Sequence, residues 1–175
     1  VSGDEICVAA GTYKPTAGTD RTATFQLMNG VALYGGFAMT ETARIERNPA
    51  VNVTTLSGDL NGDDVGFTNN SENVYRVVTG ATGATLDGFT ITAGNANGDS
   101  SNNSGGGMAN HTSSPTLTNV MFSGNSAVWR GGGMLNDHGS PTLTDVTFTN
   151  NSAIDGGGGM ANYTSSQALT NVTIS

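Results

Sequence analysis

Positive charge is scarce in this sequence: six Lys and Arg stand against 14 Asp and Glu in 175 residues, for a formal net charge of -8. Such a surface repels phosphate backbones and anionic lipid, so no nucleic-acid partner is expected. Charged residues of both signs amount to 11% and aromatics to 6%. Combined with abundant Thr, Val and Asn, this argues against a helical bundle and against a chain held disordered by its own charge. Cysteine occurs once, which excludes an internal disulfide. Cys7 lies in the alternating run EICVAAGTY, and the pattern predicts a buried, inert thiol, with an intermolecular disulfide as the alternative. No apolar run approaches the ~18 residues that span a bilayer, and nothing reads as a signal peptide. No membrane insertion by this chain is expected, and it reads as a mature fragment, already exported or excised.

What the sequence has instead is a repeat. The stretch GGGMANHTSSPTLTNVMFSGNSA begins at Gly105, and close copies begin at Gly131 and Gly157. Met108, Met134 and Met160 are spaced by 26, as are Leu117, Leu143 and Leu169, and Val120, Val146 and Val172. Val120 and Phe122 are two apart, as on a strand, whereas Leu117 and Val120 are three apart and break the alternation. Asn119, Asp145 and Asn171 fill the break, and Asn or Asp readily turns a chain through the left-handed region. Asn125 and Asn151 mark a second expected corner in each copy.

One such copy presents a single row of apolar side chains and cannot bury it alone. Stacking copies solves this, with parallel strands about 4.8 Å apart, apolar columns inside and Asn ladders at the corners. The expected fold is all-β: a right-handed parallel β-helix (β-solenoid) of about five to six coils, a rod on the order of 25 to 30 Å long. The chain reads as one β-helix domain over 1–175. Residues 1–96 form irregular coils with loop insertions, 97–104 an inserted loop, and 105–175 regular 26-residue coils of which the last is incomplete. ATLDGFTI, from Ala84 to Ile91, matches PTLTNVMF position by position, with Gly88 at the corner that Asn119 takes. VYRVVTG corresponds to the GGGMAN strand, and Asn29-Gly30 marks a turn.

The GGGM element followed by FSGN and FTNN resembles the GGxx and FxxN repeats of polymorphic outer membrane proteins. With GDEICVAAGTYKPT, NGVALYGGF, LSGDLNGDD and LDGFTITAGNANG, the chain is similar to bacterial surface proteins built on right-handed parallel β-helix repeats. The resemblance implies an extracellular or cell-surface location and a structural or adhesive role, with anchor and caps outside this chain. Open β-helix ends offer unpaired edges, so either the chain is a piece of a longer rod or its ends self-associate head-to-tail into a filament or sheath. The alternative function is a carbohydrate-binding or polysaccharide-degrading β-helix, with glycans as ligands.

Chemical motifs are few. In GDLNGDD, Asp59, Asn61 and Asp63 alternate oxygen ligands and Asp64 adds charge, the pattern of a calcium loop. Asn70 stands where an EF-hand would place its bidentate Glu, and a polar Asx turn is the alternative. Calcium here would pin a loop, a structural cofactor rather than a catalytic one. His111, Asp137 and Tyr163 fall at equivalent positions and should stack; an acid–base site is the sharp reading and variable outward positions the plain one. Trp129 and Asp155 form another column beside Arg130, and Trp129 is a candidate contact residue. No basic residue falls in an acidic column, and no catalytic residue is assigned, so the chain is not expected to be an enzyme. Seven Asn-x-Ser/Thr sequons, at Asn52, Asn69, Asn102, Asn110, Asn150, Asn162 and Asn171, carry little weight in a chain so rich in Asn, Ser and Thr.

Overall fold

A computed structural model describes residues 1–175. The chain winds into six turns of a parallel β-solenoid. The first turn holds β1 (Glu5–Ala9), β2 (Gly11–Tyr13) and β3 (Phe25–Gln26); the second β4 (Ala32–Phe37), β5 (Thr54–Ser57) and β6 (Val78–Thr79). The third holds β7 (Thr85–Asp87), β8 (Phe89–Thr92), β9 (Asn95–Ala96) and β10 (Met108–His111). The two regular turns follow: β11 (Thr116–Thr118), β12 (Met121–Ser123), β13 (Ser126–Ala127) and β14 (Met134–Asp137), then β15 (Thr142–Thr144), β16 (Thr147–Thr149), β17 (Ser152–Ala153) and β18 (Met160–Tyr163). The sixth begins with β19 (Ala168–Thr170) and β20 (Thr173–Ile174).

Equivalent strands pair into two six-stranded sheets, β1-β4-β7-β11-β15-β19 and β2-β5-β8-β12-β16-β20. A five-stranded sheet, β3-β6-β10-β14-β18, and a three-stranded one, β9-β13-β17, complete the wall. The 26-residue period is the pairing register itself: Leu117 pairs with Leu143 and Leu143 with Leu169. Leu86, Leu117, Leu143, Ile91, Phe122, Phe148, Met108 and Met134 are wholly buried. Phe122 and Phe148 stack with ring centroids 4.8 Å apart and planes 7° from parallel, because each ring repeats its neighbour one strand spacing along the axis.

The first corner is as the sequence spells it, with left-handed φ of 50°, 54° and 51° at Asn119, Asp145 and Asn171, and Gly88 at 82°. The second corner turns one residue earlier than expected. Gly124 and Asn150 take the left-handed conformation, and Asn125 and Asn151 follow it. Their side chains point along the axis: the Asn125 amide donates to Asn151 Oδ1 at 3.0 Å and to the Ile91 carbonyl at 3.0 Å. A further buried ladder lies at the end of the Met strands. Asn110 donates to Asn136 Oδ1 (2.8 Å) and Asn136 to Asn162 Oδ1 (2.9 Å). Asn110 is fully buried, so its sequon is closed to modification in the folded chain.

Cys7 departs from expectation, being exposed. Pairing of Ile6 with Leu33 and of Cys7 with Tyr34 puts Ile6 in the inward column and Cys7 in the outward one. A one-residue phase exchanges the two faces of a strand.

The second turn carries two insertions. Residues 38–53 run between β4 and β5 and include one 3-10 turn, Arg44–Glu46; residues 58–77 run between β5 and β6. A shorter insertion, 97–104, precedes the Gly-rich return into β10 and is held by an Arg76 hydrogen bond to the Ser101 carbonyl. Insertions leave the stack undisturbed because the strands before and after them keep their register.

Candidate functional site

The 58–77 insertion is tied at its base, where the Val74 amide donates to the Gly58 carbonyl at 3.0 Å and Val74 enters the core. Asp59, just after β5, folds the following residues back over itself, its carboxylate accepting from the Gly62 and Asp64 amides. Carboxylate oxygens of Asp59, Asp63, Asp64 and Glu72 all lie within 4.8 Å of one another. Asn61 is exposed on the same loop. Glu72, outside the Asp-x-Asn-x-Asp spacing, arrives two residues beyond Asn70 as the chain returns to the wall. Asn73 is 1% exposed and donates to Asp64 Oδ2 at 2.6 Å. Burial raises the Asp64 pKa, opposed by the Asn73 hydrogen bond and reinforced by the charges of Asp59, Glu72 and Asp63. No cation answers these acids: the ion pairs of the molecule are made by other residues, and the Lys14 ammonium donates to the Leu60 carbonyl at 3.0 Å.

His111, Asp137 and Tyr163 do form one outward column, paired strand to strand. His111 Nδ1 lies 3.2 Å from Asp137 Oδ2. A second imidazole, unsuspected from the repeat, closes on the same carboxylate: His138, in the left-handed region at φ 54°, places Nδ1 2.6 Å from Asp137 Oδ1. Desolvation pushes the Asp137 pKa up, but hydrogen bonds from His138 and His111 and their charges outweigh it, and the net shift is downward. The His138 ring meets Tyr163 edge-on with centroids 5.7 Å apart. This is an exposed, hydrogen-bonded cluster on a flat strand face.

Trp129 is 47% exposed, under the Arg130 guanidinium at 4.7 Å from its ring centroid. The Asp155 amide donates to the Trp129 carbonyl, and Arg130 Nε meets Asp155 Oδ2 at 3.2 Å.

A groove of about 1070 Å³ runs across four turns between the 38–53 insertion and the first corner. Asn119 and Asp145 line it in one column, Asp87 lies one residue before the equivalent corner Gly88, and Tyr34, Arg44 and Arg47 stand on the insertion side. No basic residue falls in an acidic column of the repeats, but Arg47 reaches one acid of the groove from the insertion. Its Nη2 meets Asp87 Oδ2 at 2.5 Å and its Nη1 donates to the Gly35 carbonyl at 3.0 Å. The pairing was hidden because the insertion folds Arg47 back over β7 across 40 residues of chain. Asp87 Oδ1 accepts from Asn119, and Asp145 Oδ1 from Asn171. Arg44 covers the Tyr34 ring at 4.4 Å and pairs with Glu5. The groove carboxylates thus hold the corner together and are engaged by their neighbours.

Compared with protein-family models, curated proteins and solved structures, the chain finds no match in any of the three.

Proposed function

We propose that this chain is a structural or adhesive element of the bacterial cell exterior, a rigid rod that accepts further turns at its ends and stacks head-to-tail with copies of itself. The observation carrying the reading is that end and interior turns share their columns. Leu117 and Leu143 are fully buried, whereas Ile6 and Leu169, in the same column, are 49% and 48% exposed. Tyr13 and Ile174 are likewise exposed at the two ends of the column that buries Phe122 and Phe148. An added turn, from the same polypeptide or from a second copy, meets two sheet edges with their apolar columns already in register. Such edges recruit strands, and a repeated head-to-tail contact builds a filament.

The resemblance of the GGGM, FSGN and FTNN elements to polymorphic outer membrane protein repeats supports the location outside the cell. Met39, Ile45 and Val51, exposed on the 38–53 insertion, offer apolar contacts suited to adhesion. A polysaccharide-degrading role is the weaker alternative, because hydrolysis takes a pair of carboxyl groups and, of the two in the groove, Asp87 has both of its oxygens engaged by Arg47 and Asn119.

Electron microscopy across a concentration series tests the proposal. Filaments are expected, with a rise per subunit near an integer multiple of about 4.8 Å. Single short rods at every concentration would overturn the stacking.

A further inference from the structure

We infer that Asp59, Asp63, Asp64 and Glu72 form a calcium site that fastens the 58–77 insertion to the wall of the rod. Four carboxylates with oxygens inside 4.8 Å repel one another strongly where water is partly excluded, and the molecule supplies them no ion-pair partner. An independent sign of a ligand lies in the surrounding oxygens. Asp64 Oδ1, Glu72 Oε1 and Asn73 Oδ1 are all buried from solvent and accept no hydrogen bond. Unpaired buried acceptors are rare, because each forfeits its hydration without return. The three belong to residues in contact: Glu72 and Asn73 are adjacent in sequence, and Asn73, 1% exposed, donates from Nδ2 to Asp64 Oδ2.

A cation seated among the four carboxylates answers their charge and gives the buried Asp64 and Glu72 oxygens a partner. The donor set is oxygen only, which selects a hard ion over zinc. Several carboxylates on a flexible turn suit the six to eight ligands at 2.3–2.6 Å that calcium takes, whereas magnesium demands a tighter octahedron and keeps its waters. Glu72 supplies the distal carboxylate that Asn70 cannot, so the site is closed by residues 13 apart in sequence, across the return of the loop.

The test uses the full chain, stripped with chelator and kept dilute enough to remain dispersed, so that it bears on this loop and not on stacking. Calorimetric titration with calcium chloride is expected to give one ion per chain, and thermal unfolding to move to higher temperature with added calcium as mass action requires. Glu72→Gln and Asp63→Asn are expected to weaken binding by about tenfold or more. Asp64→Asn is expected to abolish the calcium-dependent rise while leaving the chelated protein folded. Asp155→Asn, outside the site, should bind as the unaltered chain does. A folded chain showing neither heat nor a melting shift in millimolar calcium would overturn the site, as would Glu72→Gln binding unchanged. An equal melting shift with magnesium alone at the same concentration would overturn the assignment to calcium.

Discussion

Asn occupies two different jobs in this molecule, and only one of them was written plainly in the repeat. At Asn119 the backbone conformation matters most, with φ 50°, since Gly88 performs the same turn one coil earlier and the side chain's bond to Asp87 is exposed to water. At Asn136 the side chain matters, since it accepts from Asn110 and donates to Asn162 with no exposure to solvent. Asn136→Ala leaves the Asn110 amide without its acceptor, and a loss of about 2–3 kcal/mol is expected, read from urea midpoints. Asn119→Gly, at an exposed corner, should change stability by less than about 0.5 kcal/mol; equal losses from both would refute the division of roles. The distinction was hidden because a 26-residue period aligns equivalent positions without saying which atoms of them carry the contact. Cys7 was misread for a related reason: EICVA alternates in either phase, and the pairing of Ile6 with Leu33 decides which face is inward.

Among the elements, the Gly-rich return shows what the period fixed and why. Ideal β-carbons at Gly107 and Gly133 would both lie 2.4 Å from the carbonyl of the Gly one coil on, and 2.9 Å from the edge of Phe122 and Phe148 respectively. The return is Gly-rich because the chain passes directly over the stacked rings. Gly133→Ala is expected to cost about 3 kcal/mol by overpacking, whereas Thr142→Ala, on the outward face of β15, should fall within about 0.5 kcal/mol; matching denaturation midpoints for the two would disprove the close approach. Regular strands were legible because each residue had two copies of itself to be compared with. The insertions had none. Glu72 and Arg47 reach their partners through loop returns of irregular length, so no spacing could announce the acid cluster's fourth member or the Asp87 ion pair.

Across the whole molecule, every turn is held by its neighbours alone, which makes stability a sum of turn-to-turn interfaces. Amides of β11, β12, β15 and β16, paired on both sides, are expected to exchange more slowly than those of β19 and β20 by about tenfold or more. Hydrogen exchange of the dispersed chain checks this, and uniform protection over all six turns would mean one indivisible cooperative unit instead. The buried Asn ladders add a property that the backbone pairing does not. Asn110 to Asn136 and Asn136 to Asn162 both donate toward the later turn, whereas Asn125 and Asn151 also donate back to the Ile91 and Phe122 carbonyls of the turn before. The amide dipoles of the Asn110 ladder therefore add, with a bare carbonyl oxygen at Asn110 as its negative end, like a small bar magnet drawn in electric charge. A further turn lengthens that magnet only when its own Asn points the same way.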